Sequence, residues 1–333
     1  MKAFAIQGYG KQVTLQAVEI AEPTLGEHEV MVRIQAAGVN PLDAKIRDGE
    51  FKLLLPYPMP LILGHDLAGV VTRVGAQARR FKVGDQVYGR ADDGRIGTFA
   101  EFIAVKEDSL ALKPATLGMP EAASIPLVGL TAWQALVEKA QLKKGQKVLI
   151  HAGAGGVGTF AIQLAKHLGA TVATTTSAAN IGLMKSLGAD IVIDYQKDAF
   201  EKTLRDYDLV LNSLGGDTLK KSLAVLKPGG LLISISGPPD LEFAKRAKLS
   251  GFFQLVMRLL SLGIRRKAKP HGVNYSFLFM RASGDQLRQI AALIEAGVIR
   301  PVLDKVFPFQ ATPQALAYVE TGRAKGKVVI EVQ

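Results

Sequence analysis

The stretch KVLIHAGAGGVGTFAIQLAKHLGA, Lys147 to Ala170, decides the fold class. Its apolar start, Val148–Ile150, leads into a glycine-rich turn, and apolar residues at helical spacing begin directly after that turn. Gly153, Gly155 and Gly158 match G-x-G-x-x-G between a strand and a helix, the context in which the pattern indicates dinucleotide binding. The sequence therefore predicts a nucleotide-binding turn rather than a tight turn without a ligand.

The residues of this turn have distinct expected roles. Gly153 permits the tight turn, Gly155 lets the backbone approach a pyrophosphate, and Gly158 lets the helix pack against its strand. Backbone N–H groups at the helix start face the anion and are helped by the helix dipole. The predicted cofactor-binding residues of the turn are Gly153, Gly155, Gly156, Val157 and Gly158.

The second predicted strand of this domain separates the two nicotinamide dinucleotides. Sites for NAD usually carry Asp or Glu about 20 residues after the glycines, bonded to the ribose hydroxyls. Here the strand Thr171–Thr176 is followed by SAANIGLMKSLGA, and no acid appears before Asp190. The hydroxyls of Thr175, Thr176 and Ser177 could donate to a 2′-phosphate, which favours NADPH as the cofactor. The alternative is a purely structural role, in which the threonines are β-branched residues that favour the strand conformation.

A basic partner for that phosphate is not evident in the same stretch. Ala178 and Ala179 stand where Lys or Arg would help most. Lys185, Tyr195 or a residue of the C-terminal tail are the alternatives for this contact.

Composition bounds the class of protein. A chain of 333 residues can form two domains with a large core, and the absence of cysteine excludes disulfides, thiolate catalysis and Cys-ligated zinc. The net charge of +11 is diffuse, aromatic residues are few and no nucleic-acid motif is present, so we predict no nucleic-acid partner. The start, MKAFAIQGYG, lacks an apolar signal core, and no stretch has the length of a membrane span. The expected location is the cytoplasm.

The chain divides into a β-rich part and an α/β part. Up to about Pro120, short apolar alternations are separated by Gly, Pro and Asp turns. Beyond Gly145, strands alternate with helices, which is typical of a parallel sheet built from β-α-β units. The tail after His271 contains further helix and strand patterns. The predicted boundaries define segments 1–124, 125–270 and 271–333.

Motifs spread over nearly the whole chain match a known family. They are GVNPLDAKIRDGEF from Gly38, PLILGHDLAGVVTRVG from Pro60, LVGLTAW from Leu127, the glycine turn, and GRAKGKVVI from Gly322. Together they resemble the zinc-independent medium-chain dehydrogenases/reductases of the quinone oxidoreductase type, and among them the NADPH-dependent alkenal/one (enone) oxidoreductases. The resemblance implies a GroES-like β-rich domain completed by the tail, a central Rossmann domain with a doubly wound parallel sheet, NADPH in the cleft between them, and a homodimer.

Departures from the zinc-dependent relatives bear on the chemistry. Those enzymes carry Cys where this chain has Asn40, and His-Glu where it has His65 and Asp66. We therefore expect no metal site, and we interpret His65 as a hydrogen-bonded loop histidine. Without zinc, alkoxide formation from an alcohol is difficult, whereas hydride delivery to an electrophilic carbon requires only positioning and stabilisation of an enolate oxygen.

These observations predict an enzyme. Its reaction would be NADPH-dependent reduction of a small-molecule quinone, enone or enal without zinc. The alternative is a non-catalytic NADPH-binding redox sensor or assembly factor, because a fold can persist without its original activity.

The resemblance also implies roles for residues outside the glycine turn. Asn40 contacts the nicotinamide ribose or substrate, or else forms a turn before Pro41. Lys45 stabilises the enolate oxygen, or else is a solvated helix lysine. Tyr57 donates a proton or lines the cleft, or else only packs in its Pro-rich loop. Thr131 contacts the nicotinamide side.

For two segments near the C-terminal end of the sequence, a role in the site is weighed against a structural one. Arg323 and Lys327 either reach the cofactor phosphates or are surface charges. The aromatic residues of Phe277–Phe279 either shape the pocket or belong to the core.

The segment 239–269 combines apolar residues at helical spacing with Arg258, Arg265, Arg266 and Lys267. Three interpretations compete: helices that cover the active-site cleft or a dimer surface, a basic amphipathic patch that makes weak peripheral contact with an anionic membrane, or a solvated insert.

Overall fold

The computed structural model describes residues 1–332 and divides into two compact units. Unit 1 contains residues 1–130 and the chain from Arg281 onward, and unit 2 contains residues 131–280. Unit 1 is thus formed from both ends of the chain, while unit 2 is continuous in sequence.

The strands, in chain order, are β1 (Lys2–Ile6), β2 (Gln16–Glu19), β3 (Glu29–Val39), β4 (Leu61–Ile62), β5 (Asp66–Val74), β6 (Gln86–Arg90), β7 (Phe102–Lys106), β8 (Leu110–Leu112), β9 (Lys147–Ile150), β10 (Thr171–Thr176), β11 (Ile191–Asp194), β12 (Tyr207–Asn212), β13 (Leu226–Ser234), β14 (Asn274–Phe277), β15 (Leu303–Pro308) and β16 (Lys327–Glu331).

The α-helices are α1 (Pro41–Arg47), α2 (Met119–Ala123), α3 (Pro126–Trp133), α4 (Gly156–His167), α5 (Ile181–Ser186), α6 (Phe200–Thr203), α7 (Gly216–Lys221), α8 (Leu241–Arg246), α9 (Gly251–Leu260), α10 (Leu262–Ala268), α11 (Gly284–Glu295) and α12 (Thr312–Glu320). A π-helical segment covers Gln134–Lys139, and short 3-10 helices cover Glu107–Ser109, Ala178–Asn180, Ser222–Val225, Lys269–His271 and Phe309–Ala311.

Unit 1 is organised around the long strand β3. This strand pairs antiparallel with β5, β7 and β16, in a sheet whose main order is β15-β16-β3-β5-β6-β8. Val30, Val32 and Ile34 on β3 are buried in a core that also receives Val328 and Ile330 from β16. Because a strand from the C-terminal tail pairs with β3, the tail is an integral part of this sheet.

Unit 2 contains a six-stranded sheet in the order β11-β10-β9-β12-β13-β14. Every pair in it is parallel, and β9 lies at the centre between β10 and β12. Numbered within the unit, this is the strand order 3-2-1-4-5-6 of doubly wound nucleotide-binding folds. The predicted fold class, a β-rich GroES-like domain with a Rossmann domain, is confirmed.

The limits of the units differ from the predicted segments at both boundaries. The second boundary lies after Met280 because β14 pairs in parallel with β13, as in Leu232 opposite Tyr275. The aromatic segment Phe277–Phe279 therefore starts in the sheet of unit 2, where Phe277 is buried in the core. Among residues 1–332, no helix is long and apolar enough to cross a membrane.

Candidate functional site

The glycine-rich turn joins the carboxyl end of β9 to α4. Ala152 adopts a left-handed conformation, with φ of +52°, which is uncommon for a residue with a side chain. The Gly153 amide donates to the Thr175 carbonyl oxygen at 2.9 Å, and the Gly155 amide donates to the Ala152 carbonyl oxygen at 3.0 Å. The first bond holds the turn against the neighbouring strand β10 and the second closes the turn itself, so both are made by the protein alone.

The contacts of a hypothetical Cβ atom at each glycine show which glycines are required by the protein's own packing and which one leaves space for a ligand. At Gly153 it would lie 2.1 Å from Thr174 Oγ1, and at Gly158 it would lie 2.4 Å from the Ala152 carbonyl oxygen. At Gly155 the nearest atom would be the Ala152 carbonyl oxygen, at an ordinary 3.4 Å. Gly153 and Gly158 are therefore required by the protein's own packing, whereas the space beside Gly155 is open.

That open space faces the beginning of a helix. Gly155 is the N-cap of α4, and Gly156 and Val157 form its first turn, where backbone N–H groups have no acceptor within the helix. All three residues are partly exposed. A pyrophosphate fits this arrangement, because unsatisfied N–H groups and the positive end of the helix dipole converge on a region without side chains.

The expected 2′-phosphate residues come together at the carboxyl ends of β10 and β11. The Tyr195 amide donates to the Thr176 carbonyl oxygen at 3.1 Å, and the Tyr195 side chain is 61% exposed. Ser177 follows directly, and its hydroxyl accepts a 3.2 Å hydrogen bond from Asn180 Nδ2. Asn180 was not singled out from the sequence, since an asparagine in a polar loop carries no distinctive signal.

Thr175 and two charged residues near this edge have other partners. Thr175 Oγ1 accepts from the Ala152 amide at 3.2 Å and lies 3.1 Å from His151 Nδ1, so it holds the turn rather than facing outward. Asp190 accepts from Lys166 Nζ at 2.8 Å and from the Val172 amide at 2.7 Å. Asp190 therefore stabilises the start of β10 and is not positioned as a ribose acceptor at its end.

His151 is a functional neighbour of the turn that the sequence did not reveal. It is 2% exposed, its Nε2 lies 3.0 Å from Ser222 Oγ, and its ring packs edge-on against Phe200 at 4.6 Å. Burial lowers the pKa of His151 to about 4. The imidazole is therefore neutral at physiological pH and links β9, β10 and the 3-10 helix 222–225.

This shift predicts a pH dependence of stability. In the unfolded chain His151 binds a proton below pH 6.5, whereas in the folded chain it does so only near pH 4, so acidification from 6.5 towards 4 favours unfolding. Between pH 7.5 and pH 5 the wild type should lose about 2 kcal/mol more unfolding free energy than His151→Gln. Urea titrations at both pH values measure this difference. An equal pH response of the two proteins would contradict the assignment, and His28→Gln, at an exposed histidine, is the control.

Unit 1 contains a buried charged network around Lys327. Lys327 Nζ donates to Asn40 Oδ1 at 2.5 Å, to the Val39 carbonyl oxygen at 3.1 Å and to Asp66 Oδ2 at 3.2 Å. Asp66 Oδ2 also accepts from Asn40 Nδ2 at 3.0 Å, and Asp66 Oδ1 accepts from the Leu127 amide at 2.7 Å. The three protons of the ammonium are used within unit 1, and Lys327 is buried, so it is neither a surface charge nor available to a cofactor phosphate in this arrangement.

A second pair adjoins this network. His65 Nδ1 lies 2.7 Å from Asp43 Oδ1, and Asp43 Oδ2 accepts from the Asn40 amide at 2.8 Å. His65 is 1% exposed and its Nε2 has no hydrogen-bond partner among residues 1–332. The interpretation of His65 as a hydrogen-bonded histidine agrees with this geometry. Asn40 belongs to the network and is also the N-cap of α1, directly before Pro41.

Zinc does not fit these residues. Where the zinc-dependent relatives have a cysteine ligand this chain has Asn40, and an ammonium lies within hydrogen-bond distance of both Asn40 and Asp66. A cation cannot be added to oxygens that already hold a buried cation without displacing it. Within residues 1–332, no group of three or more His, Cys, Asp and Glu side chains is arranged to hold a metal ion.

The other predicted residues have contrasting environments. Lys45 has a side chain 44% exposed and lies 3.6 Å from Glu50 Oε2. The Tyr57 hydroxyl donates to the Asp93 carbonyl oxygen at 2.7 Å, and burial followed by the charge of Asp93 raises its pKa, which makes it a weak proton donor. Arg323 is exposed in the turn after α12, and Thr131 is buried in α3.

Comparison with known families places both parts of the chain. Residues 26–121 match the alcohol dehydrogenase GroES-like domain, and residues 187–330 match the family described as zinc-binding dehydrogenase. The structure of Escherichia coli quinone oxidoreductase complexed with NADPH is similar over 100% of both chains, with a TM-score of 0.83 and 27% identity.

Curated relatives are similar over the whole chain. The 2-methylene-furan-3-one reductase of Solanum lycopersicum is 38% identical, covering 99% of this chain and 79% of that protein. The mitochondrial NAD(P)H oxidoreductase RTN4IP1 of Danio rerio is 36% identical, covering 100% and 91%. The chloroplastic NADPH-dependent alkenal/one oxidoreductase of Arabidopsis thaliana is 35% identical, covering 99% and 79%.

These names overturn one expectation from the sequence. The expected cytoplasmic location was wrong, because several of the relatives are described as mitochondrial or chloroplastic. The resemblance to quinone and alkenal/one oxidoreductases is confirmed by the same comparisons.

Proposed function

Because the chain belongs to the medium-chain dehydrogenase/reductase family, we propose that it is an NADPH-dependent reductase of quinones or α,β-unsaturated carbonyl compounds that works without zinc. The observation that carries this proposal is the Lys327 ammonium, which donates to Asp66 and to Asn40, the residue that stands where the family resemblance implies a cysteine in zinc-dependent enzymes. Relatives named as enone and quinone reductases support the same reaction class.

Several features support NADPH as the cofactor. The glycine turn leaves room for a pyrophosphate beside Gly155, and no acid follows β10 at the ribose position. Thr176, Ser177 and Tyr195 meet at one edge and carry hydroxyls suited to a 2′-phosphate. The named relatives and the NADPH complex of the E. coli enzyme are consistent with this choice.

The chemistry divides between the cofactor and the protein. Bound NADPH supplies a hydride, and the protein positions the acceptor carbon and stabilises the charge that develops. In an enone, a hydride at the β-carbon sends the π electrons to the carbonyl oxygen, and the resulting enolate then takes a proton at the α-carbon. We assign Lys45 to stabilising that oxygen, since its ammonium is only loosely paired with Glu50. Solvent water is the proton source, because the Tyr57 hydroxyl is a poor acid.

The first experiment measures NADPH oxidation at 340 nm with a small set of acceptors. The set contains 1,4-benzoquinone, 9,10-phenanthrenequinone, 2-hexenal and 3-penten-2-one, each repeated with NADH, and a primary alcohol with NADP⁺ tests the reverse chemistry. Turnover of enones, enals or quinones with NADPH supports the proposal. Tight NADPH binding without turnover of any acceptor would instead indicate a non-catalytic sensor, and alcohol oxidation abolished by a chelator would contradict zinc independence.

Lys45→Ala should reduce kcat roughly 10-fold or more while changing the NADPH dissociation constant little, because the ammonium acts on charge that develops during the reaction. Steady-state kinetics and a fluorescence titration of NADPH separate the two effects. Lys52→Ala, which removes an exposed lysine a few residues along the same segment, is the matched control. Equal turnover of Lys45→Ala and the control would remove Lys45 from the mechanism.

We also propose a homodimer, as the family resemblance implies.

A further inference from the structure

Helix α9 exposes a row of large apolar side chains. Phe252 is 70% exposed, Leu255 is 54% exposed and Leu259 is 58% exposed. Their spacing, three and then four residues, places them on one face of the helix, while Met257 on the opposite face is buried. Leu260, 53% exposed, extends the same face. Scattered exposed leucines need no explanation, but four large apolar side chains on one short helix do.

Exposed cations lie in the same helix as this row and in the helix that follows it. Arg258 lies within α9, and Arg265, Arg266 and Lys267 lie within α10, all of them exposed. From Phe243 to Gly284 the sequence contains no Asp or Glu, although it contains eight Lys or Arg between positions 245 and 269. We call Phe252, Leu255, Leu259 and Leu260, together with Arg258, Arg266 and Lys267, the basic apolar surface.

The charges of this surface have few partners within the protein. Arg265 lies 4.0 Å from Asp240, and Arg246 of α8 lies 3.7 Å from Glu242. For Arg258, Arg266 and Lys267 the described part of the chain provides no ion pair. These side chains are therefore available to an external anion.

A second copy of this chain is a poor occupant of the basic apolar surface. In a two-fold symmetric dimer the same patch lies on both sides of the interface. Such an interface would bring the cations of both copies together without acids to neutralise them, and like charges repel. The proposed homodimer therefore uses another surface.

An anionic bilayer complements both the apolar side chains and the cations of the basic apolar surface. Helices that lie at a membrane interface carry Phe and Leu on one face and Lys or Arg beside them, so that the apolar side chains enter the acyl boundary while the cations meet lipid phosphates. We propose that the basic apolar surface of unit 2 docks the enzyme on membranes that contain anionic lipid. The inference goes beyond the proposed reductase activity and does not depend on it.

The test uses the NADPH-loaded full chain and sucrose-loaded vesicles, either of phosphatidylcholine alone or of equal parts phosphatidylcholine and phosphatidylglycerol. At low salt the wild type should co-sediment with the anionic vesicles at least about tenfold more strongly than with the neutral ones, and added salt should weaken the binding. No binding to anionic vesicles at low salt would overturn the proposal.

Two variants separate specific docking from general attraction of a basic protein. Phe252→Ser combined with Leu255→Ser and Leu259→Ser should reduce vesicle binding at least about tenfold, because the apolar anchor is lost. Arg266→Gln with Lys267→Gln should reduce it more than Lys143→Gln with Lys144→Gln, which removes two exposed charges of unit 2 outside the surface. Equal effects of the two charge pairs, or full binding by the serine variant, would contradict a docking role.

Sedimentation without vesicles completes the test. All variants should remain folded and retain wild-type turnover of a water-soluble acceptor, since none of the substituted residues belongs to the proposed catalytic or cofactor site. If the wild type and the charge variants self-associate and only the serine variant does not, a second copy covers this face. That result would overturn the membrane assignment.

Discussion

Gly155→Val is expected to weaken NADPH binding at least about 100-fold, equivalent to ~2.7 kcal/mol, while the unfolding temperature of the cofactor-free protein stays close to that of the wild type. The structure explains why NADPH binding and stability should respond differently at this residue. A Cβ atom at Gly155 meets only the Ala152 carbonyl oxygen, at 3.4 Å, and the backbone is extended, with φ of −78°. A valine is therefore tolerated by the protein, but its methyl groups occupy the space beside the first N–H groups of α4.

Fluorescence titration of NADPH and thermal unfolding of the cofactor-free protein measure both quantities. Gly8→Val is the control for a glycine with open space in unit 1, and it should change neither. Gly158→Val is the opposite control, because its Cβ would lie 2.4 Å from a backbone oxygen and the turn itself should be destabilised. Normal NADPH affinity in Gly155→Val would show that the cofactor binds elsewhere.

Lys327→Met is expected to lower the free energy of unfolding by about 3–5 kcal/mol. Lys327 is 5% exposed and Asp66 is fully buried, so removal of the ammonium leaves a carboxylate in a medium of low dielectric with one cationic partner fewer. Asn40 Oδ1 loses its 2.5 Å donor at the same time. Equilibrium unfolding in urea measures the loss.

Lys325→Met supplies the control, since it removes an exposed lysine two residues earlier. Adding Asp66→Asn to Lys327→Met should recover part of the lost stability, because the double variant no longer buries an unpaired charge. A free-energy loss below 1 kcal/mol in Lys327→Met, on the order of that of an exposed ion pair, would mean that the network is not a buried ion pair in solution.

The elements that were predictable from the sequence depend on local patterns. The glycine turn needs a strand, three glycines at fixed spacing and a helix within one short stretch, and the structure shows β9, the turn and α4 there. The parallel sheet follows from the alternation of strands and helices, and its doubly wound arrangement from the family resemblance, whereas its strand order comes from the structure. The second boundary of the units lies later than the predicted one because β14 looks like any short apolar strand, and only its pairing with β13 assigns it to unit 2.

The charged network around Lys327 could not be predicted from the sequence for a different reason. Lys327 and Asn40 are separated by 287 positions, and nothing near either residue indicates the other. They meet because β16 pairs antiparallel with β3, with Val328 opposite Val39. The same limitation applies to His151, whose neutral state follows from burial beside Phe200 and not from its immediate sequence.

The pairing of β16 with β3 has a consequence for biosynthesis. Unit 2 is one uninterrupted segment, so all of its strands have emerged from the ribosome before the last part of the chain is made. The core of unit 1 is completed later, because β16 contributes Val328 and Ile330 to it and is translated after all of unit 2. Domains generally fold as units during synthesis, in the order in which they become complete. On a translating ribosome we therefore expect protease resistance to develop first in unit 2, with β3 incompletely paired until β16 has emerged.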